Sequence, residues 1–452
     1  MKASIADLRR ILRSHPGASG AELCRQLGGI NRSTLMRLVA QLGAGVVRRG
    51  GARRTRYALR RPLRGRSESL PLYRIDGEGE GHLAAHLDLL HPEGSALAFA
   101  EPFPWPGDDA MGDGWFAGLP YPVLDMRPQG FLGRNFAHGH GRVLGVAENL
   151  DHWNDDDVVH ALTTLGHDQP GDLILGETAY RLHLEARQDW ESRLVADRRL
   201  AKDYPALAER ALAHGEAGSS AGGEFPKFAI QRLRRGKPVS VIVKFSGADD
   251  SAAVRRWSDL LVCEHLALET LAGEMALAAA KSEIHVFAGR TFLEVERFDR
   301  QGAHGRLPVC TLAAINDALL GKGGASWPLA AQALRQRGWL DGEAVRQVEL
   351  IWWFGRLIAN GDMHDGNLAF RPGLLLAPAY DMLPMAYAPQ RGGEVPARDF
   401  APPLPLPTEK DVWRAAAKAA VSYWQHCAED ERISREFRRL CAGNARKLAV
   451  LA

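Results

Sequence analysis

Cysteine is scarce in this chain of 452 residues: five thiols, at positions 24, 263, 310, 427 and 441, odd in number and without CxxC spacing. A disulfide framework and a zinc ribbon are thereby excluded, and the pattern fits reduced thiols in a cytoplasm. Long apolar runs are missing too: no stretch of eighteen apolar residues could cross a membrane, so no membrane role is expected. The opening MKASIADLRR is too charged for the apolar core of a signal peptide. Acidic residues are nearly absent from one end. Residues 1–66 hold two Asp/Glu against sixteen Lys/Arg, a balance of +14, while the remainder carries 52 acidic and 41 basic residues. That asymmetry implies a polyanion-binding module joined to a mildly acidic body. The rest of the composition, 46% hydrophobic and 25% charged, is that of a folded globular protein long enough for two or three domains.

Within the basic end, Ile5, Leu8, Ile11 and Leu12 share one face of a helix over residues 4–14. HPGAS breaks it. Ser19 is placed to cap a second helix that Gly28-Gly29 ends, and Asn31 or Ser33 to cap a third. GVVRRGGARRTRYAL then reads as a β-hairpin with a Gly-Gly turn. Three short helices followed by a basic hairpin resemble the winged helix-turn-helix family. The outward face of the third helix offers Arg32, Ser33, Thr34 and Arg37, and the hairpin offers Arg48, Arg49, Arg53, Arg54 and Arg56. A helix in the major groove and a wing on the phosphates of duplex DNA need this layout. The competing reading is a solvated basic domain used for protein contacts. RRPLRGRSES, residues 60–69, is expected to be a linker.

Residues 67–212 are less informative. Strands are expected at LPLYRI and SALAFA, with helices from about Asp155. HGHGRV and HWNDDDVVHAL set His near Asp, but neither has HExxH spacing or a Cys partner, so both are read as caps and loops.

HGEAGSSAGGEFPKFAI, residues 214–230, carries four glycines and two serines before a strand-like run. Backbone N–H groups of such a loop can approach phosphate oxygens that any Cβ would obstruct, although flexible linkers share the composition. The next strand, VSVIVKFS, bears Lys244 between Val243 and Phe245. A lysine there has either an exposed face or an ionic task, and a phosphate is one candidate partner.

NGDMHDGNLAF, residues 360–370, concentrates two Asp, a His, two Asn and two Gly between a helical run and a short hairpin. Asp362 and Asn367 are five residues apart, and Asp381 stands fourteen beyond Asn367. Phosphoryl transfer requires a phosphate cradle, a Lys, oxygen ligands for magnesium and an oriented base, and they occur here in that order. The bland alternative has these acids merely capping helices and turns.

At these motifs the chain resembles the HipA-type serine/threonine kinases. NGDMHDGN resembles their NxDxHxxN catalytic loop, LAPAYDM their metal-binding segment, SSAGGEFPKF their Gly-rich loop, VIVKFS their ATP lysine and EVERFDR their hinge. The fused basic module resembles the YjjJ-like subgroup. The resemblance implies an α+β, protein-kinase-like bilobal fold behind an N-terminal winged helix-turn-helix. The implied stretches are 1–62 for DNA binding, 67–212 for a HipA-like N-terminal subdomain, 213–300 for the N-lobe core and 301–452 for the helical C-lobe.

It also implies roles. Asp362 would be the catalytic base, with Asn367 and Asp381 as magnesium ligands and Asn360 and His364 ordering the loop. Lys244, Gly222 and Gly223 would meet the phosphates of ATP, and Glu296 and Phe298 the adenine through the hinge backbone. Glu264 would pair with Lys244 or sit on the surface. Ser219, or else Ser220, would be autophosphorylated. The implied substrate is a protein, with aminoacyl-tRNA synthetases the usual class and growth arrest the outcome; family members commonly use a separate antitoxin. An inactive kinase fold in a DNA-binding regulator, a metal-dependent phosphohydrolase suggested by His364-Asp365, and a small-molecule kinase are the other classes considered.

Overall fold

The computed structural model describes residues 3–213, 225–321, 325–390 and 392–452. The chain divides into two compact units, one of residues 1–76, 80–127 and 151–188, the other of residues 77–79, 128–150 and 189–452. The stretch 67–212 is thus shared between them.

In the first unit, helices α1 (Ile5–Ser14) and α2 (Gly20–Gln26) each start at a capping box, Ser4 with Asp7 and Ser19 with Glu22. Asn31 caps α3 (Arg32–Leu42) by accepting the Thr34 N–H at 2.9 Å. Their apolar faces meet through Leu8, Leu12, Leu23, Leu35 and Leu38, closed by Tyr57 and Leu59. The latter two come from a small antiparallel sheet of β1 (Ala18–Ser19), β2 (Val46–Arg49) and β3 (Arg56–Leu59), with β3 central. Gly50 turns the hairpin at φ +82°, where a Cβ would lie 2.6 Å from the Arg54 carbonyl oxygen. Only glycine fits that turn.

The expected linker does not behave as one. Arg60 pairs with Asp88 at 2.9 Å, Arg61 with Asp156 at 2.5 Å and Arg64 with Asp157 at 3.1 Å. Val47 and Ala58 of the hairpin share a cluster with Leu90, Ala96 and Trp115, so the hairpin is seated on the sheet that follows. Arg49 is spent there as well: it pairs with the buried Asp88, which also accepts from the Ser69 hydroxyl at 2.6 Å. That sheet is antiparallel, in the order β7 (Trp115–Phe116), β6 (Ser95–Phe99), β5 (Gly81–Leu89), β4 (Leu70–Ile75), β8 (Leu173–Leu175). Helices α4 (Asp155–Leu165) and α5 (Glu177–Gln188) complete the unit. Asn154 caps α4, so HWNDDDVVHAL is a helix start with its acids in the first turn.

HGHGRV departs from expectation. It lies inside the helix Gly130–Leu144, which buries Phe131, Ala137 and Leu144. Tertiary packing of that face outweighs the poor helix propensity of its glycines.

The second unit holds a five-stranded sheet, β12 (Ser282–Phe287), β13 (Arg290–Glu296), β11 (Lys237–Phe245), β10 (Lys227–Arg234) and β9 (Val195–Ala196), in that spatial order. Only the β9–β10 pair is parallel. Helix α6 (Leu200–Ala213) packs on it through Tyr204 and Ala208. On β13 the fully buried Glu294 is answered by Arg232, Arg234 and the Tyr204 hydroxyl. Burial would raise its pKa, but hydrogen bonds from His285, Tyr204 and Arg234 hold it at about 2.

Beyond the sheet runs α7 (Ala252–Gly273), then α8 (Gly342–Leu357), the hairpin β14 (Ala369–Arg371) and β15 (Leu375–Leu376), α9 (Lys410–Glu429) and α10 (Arg435–Ala449). Trp424 donates from Nε1 to the Leu357 carbonyl at 3.1 Å, and Asn444 donates to the Tyr387 hydroxyl at 2.9 Å. The first ties the end of α8 to α9, and the second ties Tyr387 to α10.

Candidate active site

Two structural supports converge on the loop at 360–367. Helix α8 ends at Leu357, and Ala359 takes a left-handed φ of +59° to turn the chain into the loop. Gly355, one turn earlier, lets the loop press on the helix: a Cβ there would lie 2.5 Å from the Met363 sulfur and 3.0 Å from that of Met382. Residues 362 and 381 are thus flanked by methionines packed over one glycine.

The loop is held by its own polar side chains. Asn360, 4% exposed, accepts the Asp362 N–H at 3.0 Å and donates to the Asp381 carbonyl at 3.3 Å. Asn367 donates to the Asp362 carbonyl at 2.9 Å, leaving its amide oxygen as the atom suited to a cation. His364 Nδ1 accepts the Gly366 N–H at 3.1 Å, and Asp365 accepts from Asn316 at 2.9 Å. Asp362 itself is exposed. Its bonds with Asn360 and Asn367 both run to its backbone.

Lys244 meets the second carboxylate. It rises from β11 with 6% exposure and donates to Glu264 of α7 at 2.6 and 2.8 Å and to Asp381. Burial works against the Lys244 charge, but Asp381 and Glu264 outweigh it and keep the amine above its ordinary pKa. Burial would likewise raise Asp381; the Lys244 charge, aided by Lys227, instead holds its carboxyl at about 2. Glu264, wholly enclosed, is pushed up by burial. Asp381 adopts φ +52°, a costly backbone for a residue with a Cβ and a form of strain that clusters at functional sites.

The residues of EVERFDR connect to the same loop. Phe298 packs at a tilt against Tyr380 with ring centroids 5.5 Å apart, and the Tyr380 hydroxyl donates to the Gly366 carbonyl at 2.6 Å. Arg371 donates to the Phe298 carbonyl at 3.3 Å. The Glu296 side chain turns to Arg234 at 3.3 Å, and its N–H to the Lys281 carbonyl at 2.8 Å. Ser219, Ser220, Gly222 and Gly223 lie outside the described residues.

Sequence reasoning passed over Lys227, Tyr380 and Asn316. Lys227 is the cross-strand partner of Lys244 in the β10–β11 register, so both lysines share one face. Its signal was available in PKFAI, a lysine opening the strand after the glycines. Tyr380 and Asn316 left none, because their roles arise from contacts across 14 and 49 residues.

The set fits magnesium chemically. Asp381 and Asn367 offer hard oxygen donors, and no cysteine is among these residues. Among the described residues, Glu283, His285 and Glu294 also bring three possible ligand atoms together. Arg232 and Arg234 already neutralise Glu294, which disfavours a cation there.

The C-terminal unit, with its sheet, its helices and the Lys–Glu–Asp cluster between them, holds a HipA-like C-terminal domain, whose profile matches residues 219–446. The profile of the YjjJ-like toxin middle domain matches residues 66–184. The chain is 39% identical over 428 residues to Toxin YjjJ of Escherichia coli (strain K12), spanning 94% of this chain and 93% of that protein. The chain belongs to the YjjJ-like toxin family. Among solved structures it is similar to HipA in the Shewanella oneidensis MR-1 toxin–antitoxin complex of HipA, HipB and operator DNA. That match has a TM-score of 0.48 and 14% identity over 84% of this chain and 95% of the other. The Helicobacter pylori proinflammatory kinase CtkA follows at a TM-score of 0.34 and 11% identity, over 50% and 88%. Among the described residues, no helix is long and apolar enough to cross a membrane.

Proposed function

We propose that the chain is a serine/threonine protein kinase of the toxin class, dependent on ATP and magnesium, with a DNA-binding winged helix-turn-helix at its N-terminus. The observation that carries the kinase reading is the buried Lys244–Glu264–Asp381 cluster beside a loop that presents Asp362. Lys244 and Lys227 share the strand face toward which ATP phosphates would lie. Asp381 and Asn367 would hold magnesium, which shields phosphate charge when bound. Asp362 takes the proton of the acceptor hydroxyl. The acceptor oxygen bonds to the γ-phosphorus, the bond from that phosphorus to the β–γ bridging oxygen breaks, and ADP leaves with the electron pair. The Glu296 and Phe298 backbone would meet the adenine. The family resemblance suggests a protein acceptor such as an aminoacyl-tRNA synthetase, and the free thiols suit a cytoplasmic setting.

Incubation with γ-labelled ATP and magnesium tests this reading. Label is expected on the chain itself at Ser219, with Ser220 as substitute in Ser219→Ala. A phosphate adds a charge of about −1.5 to −2 beside the nucleotide phosphates, so the phosphorylated form is expected to be inactive. Mass spectrometry finding phosphate on neither serine, or full activity of the phosphorylated chain, removes the self-inactivation.

Exposed arginines support the DNA reading. Arg32 and Arg37 stand out from α3 and Arg53, Arg54 and Arg56 from the hairpin, although Arg54 also pairs with Asp113 at 3.1 Å. Ser33 spends its hydroxyl on Asn31 at 2.8 Å, and Thr34 is half-buried, so these two contribute less than the arginines. For the full chain, duplex affinity is expected to fall steeply with salt. Replacing Arg53, Arg54 and Arg56 with Ala should weaken all sequences alike and flatten the log–log salt slope by about 0.9 per lost phosphate contact. Replacing Arg32 or Arg37 should instead erode discrimination among sequences. Fluorescence anisotropy across a salt series decides it; binding that ignores salt would return the module to protein contacts.

A further inference from the structure

Beside the loop lies a cleft of about 300 Å³ lined by Asn360 and Gly361, Tyr387 and Phe400, and the arginines Arg356 and Arg398. Gly361 immediately precedes the exposed Asp362, so the cleft borders the loop that carries that residue. Both arginines are exposed, and neither has an ion-pair partner among the described residues. Arg356 stands over the Trp352 ring at 5.8 Å, which steadies its guanidinium without neutralising it. The lining acid, Asp399, is paired with Lys447. The cleft therefore offers an aromatic wall and two uncompensated guanidinium groups. Its volume is at the small end of ligand pockets, which run from about 300 Å³ upward. It fits one or two side chains of an extended segment, and guanidinium forks favour carboxylate or phosphate.

We infer that this cleft docks the acceptor protein: a segment beside the phosphorylated hydroxyl inserts an anionic side chain, Asp or Glu, between Arg356 and Arg398. The inference rests on the kinase reading above and adds to it the chemical class of the acceptor. It assigns Arg356 and Arg398 as specificity-determining residues that touch the acceptor and not the nucleotide.

The test is a positional-scanning peptide array, each peptide bearing one Ser, with labelled ATP and the full-length chain. Asp, Glu, phosphoserine, Asn, Gln, Lys and Arg are varied around the hydroxyl. Wild type is expected to favour Asp or Glu over Asn or Gln at one position by about tenfold or more in kcat/KM, the effect of one charge-assisted pair. Arg356→Glu combined with Arg398→Glu is expected to reverse the preference toward Lys or Arg at that position. A misfolded variant cannot produce such a reversal. A preference confined to phosphoserine overturns the carboxylate assignment. Transfer or self-labelling with no acidic preference, or a double variant that keeps the wild-type preference, overturns the inference alone. No transfer to any peptide or to the chain itself overturns the kinase reading as well.

Discussion

Asp362→Asn is expected to reduce phosphoryl transfer by about 10²–10⁴-fold, the usual contribution of a positioned general base, while nucleotide affinity stays near wild type. The geometry separates the two effects. Asn360 grips the backbone N–H of residue 362, and Asn367 grips its carbonyl, so the amide replacement keeps the loop's shape. What it removes is an exposed carboxylate able to take a proton. Asp381→Asn should behave differently, because Asp381 meets Lys244 and should weaken magnesium-dependent nucleotide binding as well. Steady-state transfer paired with calorimetric ATP titration distinguishes the variants. Near wild-type turnover in Asp362→Asn would sink the assignment of the base.

Lys244→Met carries the second large effect. It leaves the fully buried Glu264 and the part-buried Asp381 facing one another without the ammonium that pairs with both, with Lys227 the remaining cation acting on them. Removing one partner of a buried pair costs about 3–5 kcal/mol, and ATP binding should be lost with the ammonium. The pH dependence has a definite sign. Asp381 is held at about 2 against an ordinary 3.8, so its stabilising contribution is fully present above 3.8 and is lost as pH falls toward 2. In the variant, the two carboxylates instead favour protonation. The stability gap between wild type and variant is therefore widest near neutrality and narrows in acid. Urea unfolding of the full chain at pH 7 and at about pH 3, between the ordinary and the held value, measures it, and equal stability at pH 7 would refute the coupling.

The local elements were legible in the sequence because each rests on chemistry within a few residues. Capping pairs such as Ser19 with Glu22, and the apolar face of Leu8, Ile11 and Leu12, need only the helical period. The spacing from Asp362 to Asn367 was likewise readable, because both ends of one loop lie in one string. Where packing overrode propensity, the reading failed: the glycine-rich HGHGRV became helix, and the basic stretch after the hairpin was pinned by Asp88, Asp156 and Asp157.

By itself, then, the sequence determined which residues can bear charge, which turns can form and which strings resemble kinase motifs. The tertiary structure alone decided which of them meet. Lys244 finds Glu264 across 20 residues and Asp381 across 137, and Lys227 joins them through strand register. The reason is physical: a hydrogen bond or ion pair acts over a few ångströms of space, whatever the separation along the chain. Only burial against a shared core brings such distant positions into reach and removes the water that would otherwise screen them.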